Sequence, residues 1–305
     1  MRKSTILIAE KKFKENAILI KSLKKTFSKI IIDTNNIFSK NKKKVYENVD
    51  GIILGLQDFN RSEISYFKNL KIITKFGVGL DNVDVDFCLK KKIKVLRASG
   101  CNSVAVAELV VGNILNLIRN INENNNLLKK FKWQPTKGLE LYEKKVGIIG
   151  LGTIGREVAL RLKAFKCTIL YHDIKRDLKF EKENNLRAVS LNKILTESDI
   201  ITLHTPLTAK TLNLISYKEL KIMKKNAIII NTSRGKVINL KDLCKIIRKK
   251  NLKIALDVYE PEPFLEKKLL SMSNAIFTPH IGGTTEEAIM RIGKKNILDL
   301  KKYLK

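Results

Sequence analysis

The amino-acid sequence predicts an α/β protein made of two domains, each a doubly wound parallel sheet. Its 305 residues exceed the length of one typical domain, and 44% of them are hydrophobic, which is enough for a sizeable core. Short apolar runs alternate with longer helix-like segments, the order that produces a parallel sheet covered by helices. In the middle of the chain, one apolar run leads directly into a glycine-rich turn and a helix.

The N-terminal third supplies the strands of the first predicted domain. Lysine-rich, helix-like segments at 12–25 and 61–69 separate some of them, and this unit ends near Ser99. Residues 101–119 are apolar nearly all round, which indicates a buried helix between the domains or at a subunit interface. The last helix-like stretch, 286–305, is expected to return to the first domain. The predicted strands are residues 5–9, 29–32, 51–54, 71–74 and 93–96.

Residues 144–173 combine strand, glycine turn, helix, strand and acid in one continuous segment. A strand at 146–149 is followed by Gly150, Gly152 and Gly155 in the GxGxxG spacing. Gly150 permits the tight turn, Gly152 allows a pyrophosphate to approach the backbone, and Gly155 allows the helix to pack on the strand. A second apolar run at 168–171 leads to Asp173, which stands about where a ribose-binding acid belongs. The segment predicts a dinucleotide site that prefers NAD to NADP, because Asp173 would repel a 2′-phosphate.

Four further apolar runs extend this second sheet, at 199–204, 226–232, 252–258 and 275–278. Ligands of such sheets bind beyond the carboxyl ends of the strands, so the residues that follow each run are candidates. Arg234, Glu262 and His280 arrive together in this way. A guanidinium can hold a substrate carboxylate, a histidine can transfer a proton near neutral pH, and a carboxylate beside it favours its charged form.

Composition argues against several other classes of protein. The net charge is +30, but the basic residues are spread in short runs such as 42–44 and 248–250, which is typical of solvated faces and predicts no specific nucleic-acid partner. No apolar run spans a bilayer and no signal peptide is evident, so we expect a cytoplasmic protein without a membrane partner. Three histidines leave little for a metal site, and none is predicted. Four scattered cysteines are expected to be reduced: Cys88, Cys101, Cys167 and Cys244.

Seven motifs resemble those of the D-isomer-specific 2-hydroxyacid dehydrogenases, in the branch of D-3-phosphoglycerate dehydrogenase. The resemblance covers nearly the whole chain and keeps the family's order. It implies a Rossmann NAD-binding domain at 99–282 and a flavodoxin-like substrate domain at 1–98 with 283–305. The motifs are KFGVGLDNVD (75–84), NSVAVAEL (102–109), GLGTIGREVA (150–159), LHTPLTAKT (203–211), NTSRGKVIN (231–239), LDVYEPEP (256–263) and TPHIGGTT (278–285).

The resemblance also implies roles for single residues. Arg234 would hold the substrate carboxylate and polarise the 2-oxo group, His280 would be the general acid or base, and Glu262 its partner. Lys75, Val78 and Gly79 would complete the substrate site, Val78 and Gly79 through their backbone N–H groups. Members similar to this chain are usually homodimers, with the helix near 102–119 at the interface. The implied cofactor-binding residues are Gly150, Gly152, Thr153, Ile154, Gly155, Asp173, Thr205, Thr232, Ser233, Asp257, His280 and Gly282.

The implied substrate is 3-phosphoglycerate or 3-phosphohydroxypyruvate. Their interconversion is a reaction of serine biosynthesis. The sequence departs from that branch at Lys75, where an arginine is usual, and at Gly55, where another often stands; Arg61 could substitute. The chain ends at Lys305, so we expect no regulatory domain and no feedback through one. A glyoxylate or hydroxypyruvate reductase remains an alternative. An NAD-sensing, corepressor-like binding protein is the alternative of a different class, although the presence of Arg234, Glu262 and His280 favours an enzyme.

Overall fold

The structure is a computed structural model that describes residues 4–35 and 37–305. The chain forms two compact units: the first extends to Asn102 and includes Gly283–Lys305, and the second is Ser103–Gly282. The first division therefore falls four residues beyond the predicted boundary at 98/99. Two hydrogen bonds tie the extra residues to the first unit, from Cys101 N to Ala98 O (3.2 Å) and from Arg291 Nε to Cys101 O (2.8 Å).

The first unit contains a five-stranded, fully parallel sheet with the strand order β2-β1-β3-β4-β5. Its three central strands are buried along their whole length, which explains their continuous apolar runs. The strands are β1 (Thr5–Ala9), β2 (Lys29–Ile32), β3 (Gly51–Leu54), β4 (Ile72–Lys75) and β5 (Lys94–Arg97), and the helices are α1 (Lys11–Glu15), α2 (Ala17–Thr26), α3 (Lys43–Tyr46), α4 (Arg61–Ile64), α5 (Val85–Lys90) and α14 (Glu286–Leu304).

The C-terminal helix α14 belongs to the first unit and packs against α2 and the sheet. A Cβ atom on Gly293 would lie 2.2 Å from Leu19, so the two helices approach closely where this glycine stands. Asn296 Nδ2 donates to the carbonyl of Lys75 (3.1 Å), which connects α14 to the end of β4. The sequence places this helix in the same unit, at 286–305.

The second unit contains a seven-stranded, fully parallel sheet with the order β12-β11-β10-β9-β6-β7-β8. The strands are β6 (Lys145–Ile149), β7 (Thr168–His172), β8 (Arg187–Ala188), β9 (Ile200–Leu203), β10 (Ile228–Asn231), β11 (Lys253–Leu256) and β12 (Ala275–Phe277), and the helices are α6 (Ser103–Ile118), α7 (Ile121–Lys129), α8 (Thr153–Lys163), α9 (Leu178–Asn184), α10 (Leu191–Glu197), α11 (Tyr217–Ile222), α12 (Leu240–Ile246) and α13 (Lys267–Leu270). The predicted α/β class with two parallel sheets is confirmed.

Helix α6 is largely buried, as its apolar composition predicts, while its expected place between the domains or at a subunit interface stays a prediction. Ala107, Val110, Ile114 and Leu117 are buried and pack on α8 and the sheet within the second unit. No single described helix is both long and apolar enough for a bilayer; only α6 and α7 taken together, bent by 62°, reach the required length and composition.

Candidate active site

The carboxyl ends of all seven strands of the second sheet meet at one edge, because the strands are parallel. The Gly150–Gly155 turn follows β6 there. Gly150 has φ +96° and its N–H donates to the carbonyl of His172 on β7 (2.8 Å). Gly152 caps α8, and no atom outside its neighbours would come within 4 Å of a Cβ there. The space over Gly152 and the N-terminus of α8 suits an approaching pyrophosphate.

Asp173 is held in a fixed orientation immediately after β7. Its Oδ2 accepts from the N–H of Leu151 (2.6 Å) and its Oδ1 from the N–H of Lys175 (3.0 Å). The acid therefore connects the end of β7 to the glycine turn. It is half-buried, so its outer side remains accessible to a ribose hydroxyl.

Two buried hydroxyls at the same edge have no hydrogen-bond partner among the described residues. They are Oγ1 of Thr205, which follows β9, and Oγ1 of Thr232, which follows β10. Buried polar atoms are nearly always paired, so these two hydroxyls are candidates for hydrogen bonds to a ligand. Both residues are among those predicted to contact the cofactor. Thr153 and Ile154, also predicted contacts, form the first turn of α8.

The turn after β10 is stabilised by an asparagine that is not among the predicted site residues. Asn231 Oδ1 accepts from both the N–H (3.0 Å) and the hydroxyl (2.7 Å) of Ser233. Asn231 Nδ2 donates to the carbonyl of Arg234 (2.8 Å). Arg234 is half-buried, and one of its terminal nitrogens donates to the carbonyl of Ser233 (2.7 Å). Asn231 therefore fixes the backbone that carries the predicted substrate-binding arginine.

Glu262 and His280 come from different loops and form a direct pair. Nδ1 of His280 lies 2.8 Å from Oε2 of Glu262, and the other oxygen, Oε1, accepts from the N–H of Tyr259 (3.0 Å). Burial acts to raise the pKa of Glu262, but the hydrogen bonds from His280 and Tyr259 and the charges of His280 and Arg234 together lower it. Glu262 is thus a carboxylate at neutral pH, and Nε2 of His280 is the ring nitrogen available for proton transfer.

Asp257, which follows β11, organises the loop that carries His280. Its Oδ1 accepts from Ile281 N (2.8 Å) and from the hydroxyl of Thr278 (2.6 Å), and its Oδ2 accepts from Gly282 N (2.8 Å). Asp257 is almost fully buried, and His280 between these contacts has φ +53°. The resemblance implies that Asp257 and Gly282 contact the cofactor; in the structure, the hydrogen bonds that Asp257 accepts from Ile281 and Gly282 position His280.

The remaining predicted substrate residues belong to the first unit, at the carboxyl end of β4. Val78 and Gly79 lie just beyond the strand and are half-buried. Lys75 is only 2% exposed, and its Nζ donates to the carbonyl of Gly55. This environment differs from that of a phosphate-binding lysine on an open surface. Burial and side-chain direction cannot be seen in the KFGVGLDNVD motif itself.

The described residues contain no group of three or more histidine, cysteine, aspartate or glutamate side chains arranged to hold a metal ion. The strand ends carry an arginine, a carboxylate–histidine pair and the Gly150–Gly155 turn, whose geometry suits a phosphate. An arginine binds a carboxylate, and the histidine can give or take a proton on an adjacent oxygen. Together with a dinucleotide, this set can reduce a 2-oxo acid or oxidise a 2-hydroxy acid.

Comparison with known proteins agrees with this chemistry. Residues 111–282 match the family model of the D-isomer specific 2-hydroxyacid dehydrogenase NAD binding domain. The chain is 42% identical over 232 residues to a hydroxypyruvate reductase of Thermotoga maritima, covering 74% of this chain and 75% of that protein. It is 39% identical over 249 residues to a D-3-phosphoglycerate dehydrogenase of Methanocaldococcus jannaschii, covering 80% of this chain and 48%, or about half, of that relative.

A solved structure extends the agreement to the whole fold. The crystal structure of D-lactate dehydrogenase from Aquifex aeolicus, complexed with NAD and lactic acid, superimposes with a TM-score of 0.89 at 26% identity, over 98% of this chain and 95% of that one. Fold and site together define an NAD-dependent oxidoreductase with two parallel-sheet domains. The chain belongs to the D-isomer specific 2-hydroxyacid dehydrogenase family. The predictions of this family and of NAD as the cofactor are confirmed.

Proposed function

We propose that the protein interconverts a D-2-hydroxy acid and its 2-oxo acid, with 3-phosphohydroxypyruvate and 3-phosphoglycerate as the first candidate pair. The observation that carries the proposal is the contact of 2.8 Å between His280 Nδ1 and Glu262 Oε2, within electrostatic reach of Arg234. An acid–base histidine with a fixed partner and a carboxylate-binding arginine are the two elements that this reaction needs.

The catalytic roles follow from the atoms that each residue presents. Arg234 binds the substrate carboxylate and polarises the neighbouring 2-oxo group. During reduction, Nε2 of a protonated His280 gives its proton to the carbonyl oxygen, while Glu262 stabilises the imidazolium and fixes its orientation. During oxidation, neutral His280 takes the proton back. NAD, when bound, accepts or supplies the hydride at C2 of the substrate.

The cofactor would be held by the residues at the strand ends of the second unit. The turn at Gly150–Gly155 offers backbone N–H groups to the pyrophosphate, and Asp173 offers a carboxylate oxygen to the ribose. The unpartnered hydroxyls of Thr205 and Thr232 are available to the same ligand. Thr153, Ile154, Ser233, Asp257 and Gly282 are proposed as further contacts.

The choice of phosphohydroxypyruvate rests on the resemblance of the motifs and on the relative from M. jannaschii; Lys75, Val78 and Gly79 are proposed as its contacts in the first unit. This choice would assign the protein to serine biosynthesis. The burial of Lys75 and its bond to the Gly55 carbonyl favour a second candidate, an unphosphorylated acid such as hydroxypyruvate or glyoxylate. The relative from T. maritima is named a hydroxypyruvate reductase, in agreement with that second candidate.

A panel of 2-oxo acids tests the proposal. NADH oxidation is followed by absorbance with phosphohydroxypyruvate, hydroxypyruvate, glyoxylate and pyruvate, for the wild type and for His280→Gln. We expect one or more acids to be reduced, and His280→Gln to lose about 10²–10⁴-fold in turnover while it still binds NADH. NADH binding without turnover of any acid would contradict the proposal and favour a binding role.

We also propose that the protein is a homodimer. Large apolar side chains are exposed in the second unit, in and after α7, and the exposed fractions of Phe131 and Trp133 are 98% and 86%. Such a surface is typical of an interface. The predicted interface helix, α6, precedes this segment directly. Light scattering after size-exclusion chromatography should report twice the chain mass for the wild type, and Trp133→Glu should lower it. The cytoplasm stays a prediction for the location.

A further inference from the structure

Two arginines lie beside the predicted ribose site, and each is paired with an acid of the α9 segment. Arg176 follows Asp173 by three residues, so their Cα atoms lie within about 11 Å of each other, a span that the two side chains together can bridge. Arg156, on α8, lies 3.0 Å from Oδ2 of Asp177, and its guanidinium stacks on Phe180. Arginines in this position could bind the 2′-phosphate that distinguishes NADP from NAD.

Glu181 holds Arg176 by two points. Arg176 Nε donates to Glu181 Oε1 (3.0 Å), and a terminal nitrogen of Arg176 donates to Oε2. The hydroxyl of Tyr171, a fully buried residue of β7, donates to the same Oε1. The Glu181 side chain is only 9% exposed, whereas that of Arg176 is 58% exposed. An exposed arginine is therefore anchored to an acid that is itself fixed in the core.

The charges follow this geometry. The hydrogen bond from Arg176, followed by that from Tyr171, lowers the pKa of Glu181, so the acid stays ionised at neutral pH. Burial, followed by the bond to Glu181, raises the pKa of Tyr171 to about 12, so the phenol stays a donor. Bidentate pairing uses the fork of the guanidinium that a phosphate would otherwise bind. Asp173, held by the N–H groups of Leu151 and Lys175, presents its carboxylate in a fixed direction at the ribose.

We propose that Glu181 is a specificity-determining residue: it retains the Arg176 guanidinium through a two-point pair and so withholds it from a 2′-phosphate at the ribose held by Asp173. Glu181 acts through Arg176 and is a positioning residue, not a contact of the cofactor. The proposal rests on the NAD site and extends it, since preference for NAD then needs both the repulsion by Asp173 and the retention of Arg176.

Direct cofactor binding tests the proposal. Dissociation constants of NADH and NADPH are measured by fluorescence for the wild type and four variants: Glu181→Gln, Arg176→Ala, the double variant, and Glu183→Gln. Glu183 is the matched control, because it lies on the same helix, pairs with Lys179 at 3.9 Å, and changes the charge equally. Thermal denaturation verifies that each variant is folded.

We expect Glu181→Gln to tighten NADPH binding by about tenfold relative to NADH, since a released guanidinium gains a charge-assisted bond to the phosphate. Adding Arg176→Ala should restore the wild-type ratio, and Glu183→Gln should leave it unchanged. An unchanged ratio in Glu181→Gln, or a gain that survives in the double variant, would overturn the proposal.

If Glu181→Gln does not fold, the single variant Arg176→Ala still tests the proposal, because an exposed side chain can be replaced without loss of the fold. In the wild-type background this variant should leave the NADPH constant unchanged within about twofold. A clear weakening would show that Arg176 already contacts the phosphate and would refute the retention. The dissociation constants are measured without turnover of a substrate. If the proposed reduction of 2-oxo acids fails, the substrate panel will show it, and the NADH and NADPH constants remain interpretable.

Discussion

A Cβ atom on Gly155 would lie 2.1 Å from the carbonyl oxygen of Gly150, so α8 reaches the end of β6 only because residue 155 has no side chain. At Gly152 the situation is opposite, since no atom beyond its neighbours lies within 4 Å of the Cβ position and φ is −71°. One glycine thus serves the packing of the fold, and the other leaves room for a ligand.

The two glycines should therefore respond differently to alanine. Gly155→Ala should destabilise the protein by about 1–3 kcal/mol or more, because the backbone of Gly150 cannot give way. Gly152→Ala should change the free energy of unfolding by less than about 1 kcal/mol, yet raise the Kd of NADH about tenfold or more, because a methyl group obstructs the pyrophosphate. Denaturant unfolding and NADH titration measure both effects. Normal NADH affinity in Gly152→Ala would exclude this turn as the pyrophosphate site.

The unpartnered hydroxyls of Thr205 and Thr232 allow a second test. Replacement by valine keeps the shape and removes an unsatisfied buried group, so stability should be unchanged or higher. If the hydroxyls bind NAD, each variant should weaken NADH binding by about five- to tenfold.

Thr202→Val is the matched control, because Oγ1 of Thr202 already pairs with Nε2 of His204 (2.9 Å). Burial lowers the pKa of His204 to about 3, so this histidine is neutral and its partner matters to folding. We expect Thr202→Val to lose about 1–3 kcal/mol of stability and to keep its NADH affinity. If all three valine variants bound NADH with equal affinity, the unpartnered hydroxyls of Thr205 and Thr232 would have no role in cofactor binding.

The sequence predicts most strands closely, because a strand buried on both faces must be a continuous apolar run bounded by polar residues. Predicted strands 5–9, 29–32 and 51–54 coincide with β1, β2 and β3, and the others shift by one or two residues at an end. The two-residue β8 is too short for any such run. Helix α7 is not predicted, because its sequence is polar. Two hydrogen bonds between Asn124 and Thr136 support this helix instead, and they join residues that are twelve apart in the sequence.

Pairings between side chains are the part of the site that no motif reveals. The spacing of the motifs indicates that Arg234, Glu262 and His280 arrive at one sheet edge, since parallel strands end together. It does not reveal that Asn231 fixes the turn at Arg234, or that Glu181 holds Arg176. It also does not reveal that Lys75 points to Gly55, because a strand residue faces one side or the other according to register alone.

Lys75 distinguishes the two candidate substrates. If Lys75 meets the substrate phosphate, Lys75→Met should lower kcat/KM for phosphohydroxypyruvate about tenfold more than for hydroxypyruvate, because only the former loses a charge-assisted contact. This is the outcome we expect for the first candidate. An unchanged ratio, accompanied by a lower melting temperature, would assign Lys75 a structural role at the Gly55 carbonyl and favour the unphosphorylated acids.

The pair of Glu262 and His280 predicts a specific pH dependence. Reduction needs protonated His280, so kcat/KM for reduction should fall as the pH rises into the alkaline range. The pKa of Glu262 is lowered, so this carboxylate is ionised throughout that range and is not the group that titrates there. Glu262→Gln removes the negative charge that stabilises the imidazolium. The alkaline limb of reduction should then move to lower pH, while oxidation, which needs neutral imidazole, should gain relative activity at lower pH.

The measurement is kcat/KM for reduction between neutral and alkaline pH, in the wild type, in Glu262→Gln and in Glu260→Gln. Glu260 is the matched control: it lies in the same loop, and its carboxylate pairs with Lys236 (2.9 Å) instead of His280. Its replacement changes the net charge equally, so the limb should stay in place. Because the turn at Gly150–Gly155 is separate from this pair, both variants should keep their NADH affinity. An alkaline limb that does not move in Glu262→Gln would mean that Glu262 is not the functional partner of His280, or that another group supplies the proton.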